Sequence, residues 1–420
     1  MAQRFYVETL GCPKNDVDSD KIIGTLLADG LVATDDPSAA DLVVVNTCAF
    51  IEEARRESID TVLALAEGRK DGSRLVVTGC MAERYGAELA EALPEVDQVA
   101  GFGVPVQLGR KPLAVGTAEV PSFDLLNRPR PKSIHPWAYV KIAEGCDRTC
   151  GFCAIPSFRG PQRSRDVASI LAEVEQLEAR EIVLVAQDLA SYGKDRPDEL
   201  GAGSIVPLVE SVSAIVDRTR LLYLYPSDLS DELIDAILAS GVPYFDLSLQ
   251  HVSKPLLRRM RRWGDGQRFL DRIADIRRRE SASAFRSNFI VGYPGETEAD
   301  HDELLAFVEA AQLDWCGFFA YSPEEGTYAY DLDGAVPDSL VRERLSELSE
   351  LQDAITARKR DELIGTTIEV LVDSPGVGRS HREAPEIDGI VELPDSLAVG
   401  QFHQVRVADA LGPDLIAEVI

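Results

Sequence analysis

The sequence predicts an α/β chain in three parts: an N-terminal open α/β sheet domain, a central partial barrel of six β/α units, and a small all-β barrel at the C-terminus. Three observations carry this. Up to about residue 108, β-like apolar runs alternate with helical periodicity, which implies a parallel sheet covered by helices. Between about 137 and 355 that alternation returns six times. Beyond it come only short strand-like runs separated by Gly, Pro and Asp. The 420 residues, 45% hydrophobic and 27% charged, exceed one ordinary domain and suffice for substantial cores.

In the first part, assigned to 1–120, strands are expected at Phe5–Leu10, Leu42–Asn46 and Leu75–Gly79, with helices at Ser19–Ala28, Phe50–Ala66 and Ala82–Ala92. The stretch Pro121–Pro136, with Asn127-Arg-Pro-Arg-Pro-Lys, can continue neither periodicity and is a linker at 121–136. The second part, 137–355, has strand candidates Tyr139–Ala143, Ile182–Ala186, Leu221–Tyr225, Tyr244–Leu249, Ser287–Val291 and Gly317–Tyr321, each followed by a helical stretch. Six units are too few to close an eight-stranded barrel, but right-handed crossovers curl them, and ligands then gather at the strands' C-terminal ends. A helix from about Asp338 to Glu362 leads into the third part, 357–420, with strands at Thr367–Val372, Gly389–Glu392, Phe402–Ala408 and Ile416–Ile420.

The N-terminus enters a strand-like run without the features of a signal peptide, and the longest apolar runs fall far short of a membrane span. A cytoplasmic protein with no membrane partner is expected. In a reducing compartment the seven cysteines are metal ligands, nucleophiles or core residues before they are disulfides. The formal charge of −28 repels polyphosphate and attracts basic proteins.

Six cysteines fall into two constellations. Cys146, Cys150 and Cys153 lie in one loop just after the first barrel strand, spaced three and then two residues apart, so that they can wrap one face of an iron–sulfur cubane. Three ligands leave one iron open to bind substrate directly, here the amino and carboxylate groups of S-adenosylmethionine; Phe152 would shield the cluster. A Cys-x2-Cys pair is also a zinc half-site, but zinc would want a second pair, and His135 is the only histidine nearby. Cys12, Cys48 and Cys80 each come immediately after a predicted strand. Such strand ends converge on one crevice in an open α/β sheet, which points to a second cluster with an open iron, against the bland alternative of three buried small hydrophobes. Cys316, in an apolar strand without partners at ligand spacing, reads as core.

On these residues, together with Phe289-Ile-Val-Gly-Tyr-Pro-Gly-Glu-Thr297 on the fifth barrel strand and the C-terminal barrel, the chain resembles the radical S-adenosylmethionine methylthiotransferases over essentially its whole length. The resemblance implies a radical SAM partial barrel followed by a TRAM-like β-barrel. It implies two 4Fe–4S clusters, a radical-generating one on Cys146, Cys150 and Cys153 and an auxiliary, sulfur-handling one on Cys12, Cys48 and Cys80. It also implies two S-adenosylmethionine molecules per turnover, one cleaved to the hydrogen-abstracting radical and one supplying methyl. Gln187 and Asp188 end the second barrel strand, Gln250 ends the fourth and Arg286 begins the fifth; with Phe152 and Gly292 they are the candidate cofactor contacts, Gly292 and Gly295 shaping the loop beside the adenine.

The family has two branches, one acting on an adenosine of transfer RNA, the other on the β-carbon of an aspartate in the small-subunit ribosomal protein numbered twelve. From Asp361 to Ile420 twelve acidic residues face three Lys or Arg, a balance that suits a basic protein better than RNA. The chain is also similar to the ribosomal-protein branch at Gly11-Cys-Pro-Lys-Asn-Asp-Val-Asp-Ser19, at Cys153-Ala-Ile-Pro-Ser-Phe-Arg-Gly160 and at Gly378-Arg-Ser-His-Arg-Glu-Ala-Pro-Glu-Ile-Asp-Gly389. Expected partners are that protein, free or on the ribosome, a low-potential electron donor such as a flavodoxin or ferredoxin, and a sulfur source; a monomer suffices. A two-cluster electron carrier is disfavoured, because a carrier closes each cluster with four ligands.

Overall fold

The computed structural model describes residues 2–106, 124–200 and 205–420. The expected boundary between residues 120 and 121 lies outside the described residues. The first unit comprises β1 (Arg4–Thr9), α1 (Pro13–Ala28), β2 (Val32–Ala33), β3 (Leu42–Thr47), α2 (Glu52–Gly68), β4 (Arg74–Gly79), α3 (Cys80–Ala92) and β5 (Gln98–Ala100). Its five strands are parallel in the order β2-β1-β3-β4-β5. The central strand Leu42-Val-Val-Val-Asn-Thr47 is buried along its length because both of its faces carry helices. Val43, Val45, Leu75 and Val77 pack with Val62, Met81 and Leu89 of α2 and α3, while Leu42, Val44 and Val76 pack with Ile22 and Leu26 of α1. The strand order reverses between β1 and β3, where an open sheet splays its C-terminal strand ends into a crevice.

The second unit comprises β6 (Trp137–Lys141), β7 (Ala143–Glu144), α4 (Ile155–Arg159), β8 (Arg163–Ser164), α5 (Val167–Leu177), β9 (Glu181–Val185), α6 (Pro197–Leu200), α7 (Ile205–Ser213), β10 (Arg218–Leu221), α8 (Asp231–Ala239), β11 (Tyr244–Gln250), α9 (Lys254–Arg259), α10 (Gly266–Arg279), β12 (Ala284–Val291), α11 (Glu298–Ala311), β13 (Trp315–Ala320) and α12 (Asp338–Asp361). Two parallel three-stranded sheets, β6-β9-β10 and β11-β12-β13, are joined by a single bridge between Leu224 and Leu247. The six strands curl without closing, so β6 and β13 remain edges. Val140, Ile182, Leu184, Phe245, Phe285 and Phe289 pack outward against the helices, and Cys316 packs against the same cluster. Among the described residues, no helix is long and apolar enough to cross a membrane.

The third unit is a closed barrel of β14 (Thr367–Ser374), β15 (Val377–Arg379), β16 (Val391–Glu392), β17 (Phe402–Leu411) and β18 (Asp414–Val419), in the order β14-β15-β16-β18-β17 around Val370, Val372, Val391, Val405 and Leu415. Strands β2, β5, β7, β8 and β15 have no counterpart among the expected elements. Each has two or three residues, too few to display a period of two, and is held by its neighbours' register.

Residues 380–390 leave the small barrel between β15 and β16 and fill the large barrel from the N-terminal ends of its strands. Tyr139 Oη donates to Pro385 O at 2.9 Å, Trp315 Nε1 to Arg382 O at 2.7 Å, Tyr244 Oη to Asp388 at 2.6 Å and Arg220 to His381 O at 3.0 Å. Ala384 and Ile387 join the lumen cluster of Trp137, Tyr139, Val183, Tyr244 and Trp315. Glu181, fully buried, takes Arg220 at 2.7 Å and Arg379 at 3.3 Å. Burial works to raise the Glu181 carboxyl, but the Arg220, Arg379 and Arg218 guanidiniums overcome it and hold the group at about 2.

Glu181→Ala leaves the buried Arg220 guanidinium without its carboxylate and Arg379 with Asp373 alone, and is expected to lower unfolding free energy in urea titrations by about 3–5 kcal/mol, whereas Arg406→Ala, which breaks the exposed pair with Glu418, changes it by under about 1 kcal/mol.

Candidate active site

The crevice at the C-terminal strand ends of the first unit holds the first cysteine set. Cys12 caps α1, Cys48 follows β3, and Cys80 opens α3. Gly11 and Gly79, immediately before two of them, have φ of 105° and 91°. A Cβ on Gly79 would lie 2.3 Å from Asn46 Oδ1 and 2.5 Å from Thr47 O, so only glycine turns the chain tightly enough to put Cys80 at the crevice. A Cβ on Gly11 would meet Cys48 Cβ at 2.9 Å and Sγ at 3.1 Å, which measures how closely the ends of β1 and β3 approach. Asn15 ties those ends together, donating to Leu10 O at 2.7 Å and Thr47 O at 3.2 Å, while its Oδ1 lies 3.8 Å from Cys80 Sγ. Burial pushes the Cys48 thiol up to about 12 and raises that of Cys80, with Cys12 adding to both by charge repulsion.

The second set occupies the loop closed at its base by pairing of β7 with β8. Gly145 precedes Cys146 at φ 80°, where a Cβ would strike Pro161 O at 2.1 Å. Cys146 N donates to Gly160 O at 3.1 Å, Gly151 N to Met260 O and Ala329 N to Gly151 O, both at 2.8 Å, so the loop is anchored on three sides. Cys146 Sγ accepts from Arg148 N and Cys150 Sγ from Arg262 Nη1, both at 3.4 Å. Burial pushes Cys146 up to about 11 and Cys153 to about 12.

Beside this loop, Asp188 accepts from Arg148 Nε at 2.5 Å and from Ser191 at 2.7 Å, and Gln187 donates to Glu144 at 2.6 Å. Their remaining oxygens, Asp188 Oδ1 and Gln187 Oε1, are buried and unpartnered. Two orphan acceptors at a strand end next to three thiols suit a cationic or amino-bearing ligand. Phe152 is half-buried against the barrel core. Gln250, at φ 70°, ends β11, and Gly292, at φ 81°, follows β12 and donates to Glu296 at 2.6 Å. Arg286 is not brought together with these: its guanidinium is held by Asp388 at 3.1 Å and by Asp246 at 3.8 Å.

Sequence reasoning missed the network between the two cysteine sets. Lys141 and Arg159 are buried with Asp18 and Glu144. Lys141 bonds Asp18 and reaches Glu144 at 2.7 Å; Arg159 bonds Glu144 at 2.9 Å, Asp18 at 3.3 Å, Asn15 at 2.9 Å and Cys80 Sγ at 2.9 Å, with Phe102 stacked on it at 4.4 Å. Against the opposing effect of burial, Arg159 and Lys141 hold the Glu144 carboxyl well below the usual range. On the other side, Glu324, which follows β13, takes Arg55 and Arg84 of the first unit, each at 2.6 Å. The first unit thus grips both edges of the open barrel. Lys141, Glu144 and Arg159 all stand in short stretches around the cysteine loop, and that adjacency was the available signal.

The donor set fits iron–sulfur clusters. Each set is thiol only, and among the described residues no three His, Cys, Asp or Glu side chains gather closely enough for a single metal ion. A cubane takes each thiolate on a different iron and so accepts wider spacing.

Comparison with known proteins finds three matches along the chain: the Uncharacterized protein family UPF0004 over residues 4–101, the Radical SAM superfamily over 140–308 and the TRAM domain over 364–420. Among curated relatives, the ribosomal protein uS12 methylthiotransferase RimO of Kineococcus radiotolerans is 41% identical across 98% of this chain and 96% of its own length. Those of Anaeromyxobacter sp. strain K (41%, covering 100% and 94%) and Moorella thermoacetica (42%, covering 92% of each) are similar. The radical S-adenosylmethionine methyltransferase TsrM of Kitasatospora setae, solved with cobalamin and a 4Fe–4S cluster, shares the fold at TM-score 0.51 and 15% identity over 95% of this chain and 80% of that one.

Arg159→Ala and Lys141→Ala each strip one cation from a buried cluster and are expected to destabilise the metal-free protein by about 3–5 kcal/mol in chemical denaturation. Because they share Asp18 and Glu144, the double variant should fall short of the sum by more than about 0.5 kcal/mol.

Proposed function

The chain belongs to the RimO family of ribosomal protein uS12 methylthiotransferases, and from that premise we propose that it attaches a methylthio group to the β-carbon of an aspartate of uS12. The chain is a radical SAM enzyme with a TRAM domain. The observation that carries the substrate is identity of about 40% with uS12 methylthiotransferases along almost the entire chain, across all three units.

In this reading Cys146, Cys150 and Cys153 hold one 4Fe–4S cluster, and Cys12, Cys48 and Cys80 hold a second. When bound, the clusters and two S-adenosylmethionine molecules supply reductive radical generation, sulfur and the methyl group. The protein's own part is binding and orientation. The unpartnered oxygens of Asp188 and Gln187 would receive the amino group of S-adenosylmethionine, and Gln250 and Gly292 would stand beside its adenosyl end. Arg159, touching Cys80 while bonded to Glu144, fixes the distance between the two cysteine sets, so that one target carbon can face both.

Charge supports a basic protein as substrate. Asp361, Glu362, Glu392, Asp395 and Asp409 are exposed on or beside the small barrel, whereas Asp373 and Asp388 are consumed by Arg379 and Arg286. The reading requires a low-potential one-electron donor of the flavodoxin or ferredoxin class and a sulfur source, and it places the protein in the cytoplasm as a monomer.

Mass spectrometry of uS12 from cells lacking this gene should show the aspartate-containing peptide lighter by one methylthio group, restored by the wild-type gene and by neither Cys150→Ala nor Cys80→Ala. An unchanged uS12 with altered transfer RNA would transfer the reading to the adenosine-modifying reaction. Failure of the reconstituted, reduced protein to release 5′-deoxyadenosine would overturn the radical chemistry.

A further inference from the structure

In a chain of net charge −28, one short segment gathers positive charge without neutralising it. Arg258 and Arg259 end α9, and Arg261 and Arg262 follow at once. None of the four forms an ion pair among the described residues. Arg259 donates to the backbone oxygens of Pro294 at 2.8 Å and Asp333 at 2.7 Å; Arg262 donates to Ser248 O and to Cys150 Sγ and lies 4.0 Å over the Tyr225 ring. Arg261 lies 3.7 Å over the Tyr328 ring, and Arg258 projects into solvent with no partner. Elsewhere many arginines of this protein are matched by carboxylates, as Arg148 is by Asp188 and Asp228, or Arg279 by Asp231 and Asp235, while isolated ones such as Arg277 and Arg358 bond uncharged oxygens.

Helix C-termini favour cations, which accounts for Arg258 and Arg259. It does not account for Arg261. That residue occupies the left-handed position after the helix, at φ 54°, where Arg262 N closes the turn on Leu257 O at 2.7 Å. Glycine fills this position without strain, and a branched-out cation there is held at a backbone cost. Around it stand two large exposed aromatics, Trp263 at 43% and Tyr328 at 42% exposure. Exposed Arg and aromatic side chains together are the composition of a protein-docking patch.

The patch also backs onto the cysteine loop. Gly151 N bonds Met260 O, Gly151 O takes Ala329 N, and Arg262 touches Cys150 Sγ, so the segment that carries the exposed cations also walls the loop. We propose that Arg258, Arg261, Trp263 and Tyr328 form the docking surface for an acidic electron-donor protein that reduces the cluster on Cys146, Cys150 and Cys153. This rests on the radical reading above. The donor loses one electron and the cluster gains it, with no bond made or broken. Charge complementarity selects the donor: a basic protein substrate is disfavoured at these unpaired arginines, whereas an acidic donor finds in them a cationic patch on a chain whose net charge otherwise repels it.

Reconstituted holoenzyme carrying Arg258→Glu and Arg261→Glu should be reduced by chemically reduced flavodoxin at least about tenfold more slowly than wild type at low salt, with the gap closing as ionic strength rises. Dithionite should reduce both proteins alike, and iron content should be equal. Arg406→Glu, a reversal at an exposed pair on the C-terminal barrel, should leave the flavodoxin rate unchanged. Wild-type flavodoxin rates in the double variant would overturn the proposal, as would equal slowing with dithionite, which would mean that these arginines act on the cluster itself. Tighter binding of an RNA oligonucleotide than of flavodoxin at this patch, lost in the variant, would assign the surface to nucleic acid instead. Calorimetric binding of flavodoxin reads docking without turnover, so docking can fail while uS12 modification stands, and the reverse.

Discussion

Two cations, Lys141 and Arg159, buried with two carboxylates, Asp18 and Glu144, form the contact on which the arrangement of the site depends. Asp18 comes from the first unit and the other three from the second, so neither unit satisfies its charges alone. Ions out of water must be paired with good geometry or they destabilise the fold strongly. The relative placement of the two units is therefore fixed beside Cys80 on one side and at Glu144, at the base of the Cys146–Cys153 loop, on the other. Arg159 extends the constraint to Cys80 Sγ at 2.9 Å, and Gln187 extends it to the barrel strand end through Glu144 at 2.6 Å. A methylthiotransferase must bring radical and sulfur chemistry to one carbon, and a dry, fully bonded joint is a way of holding that distance.

A second constraint works from the opposite end of the barrel. An open set of six strands leaves its lumen to be filled, and residues 380–390 fill it from below, with Tyr139 and Trp315 bonded to the inserted backbone and Tyr244 to the Asp388 carboxylate. The inserted segment belongs to the C-terminal unit, so the small barrel is bound to the large one through its core and not through a surface alone. The acidic count of the last sixty residues reads differently in this light. Asp373 and Asp388 serve internal arginines, and the charge offered to a partner comes from Asp361, Glu362, Glu392, Asp395 and Asp409.

The three-unit α/β architecture, the strand-end position of Cys12, Cys48 and Cys80 and the single loop of Cys146, Cys150 and Cys153 were legible in the sequence because they rest on local signals: periodicity, thiol spacing, and the coincidence of thiols with the ends of apolar runs. Glycine before Cys12, Cys80 and Cys146 was legible as letters, and its left-handed backbone gives the reason for it. Most strands of two or three residues were not legible, since they have no period to show; β16 is the exception, lying within the expected strand Gly389–Glu392.

Tertiary structure alone decided which charges meet. Arg159 and Cys80 are 79 residues apart, Lys141 and Asp18 123, and Arg379 and Glu181 198. The stretch Gly378–Gly389, read in sequence for its similarity to one branch of a family, proves to be the segment that enters the large barrel. Arg286, read as a cofactor contact, is held there by Asp388. Single residues in a charged or polar stretch carry no mark of a distant partner, because pairing across folded units depends on how strands curl and which ends they bring together. The chemistry of the thiols was written locally; the joint that aims them was not.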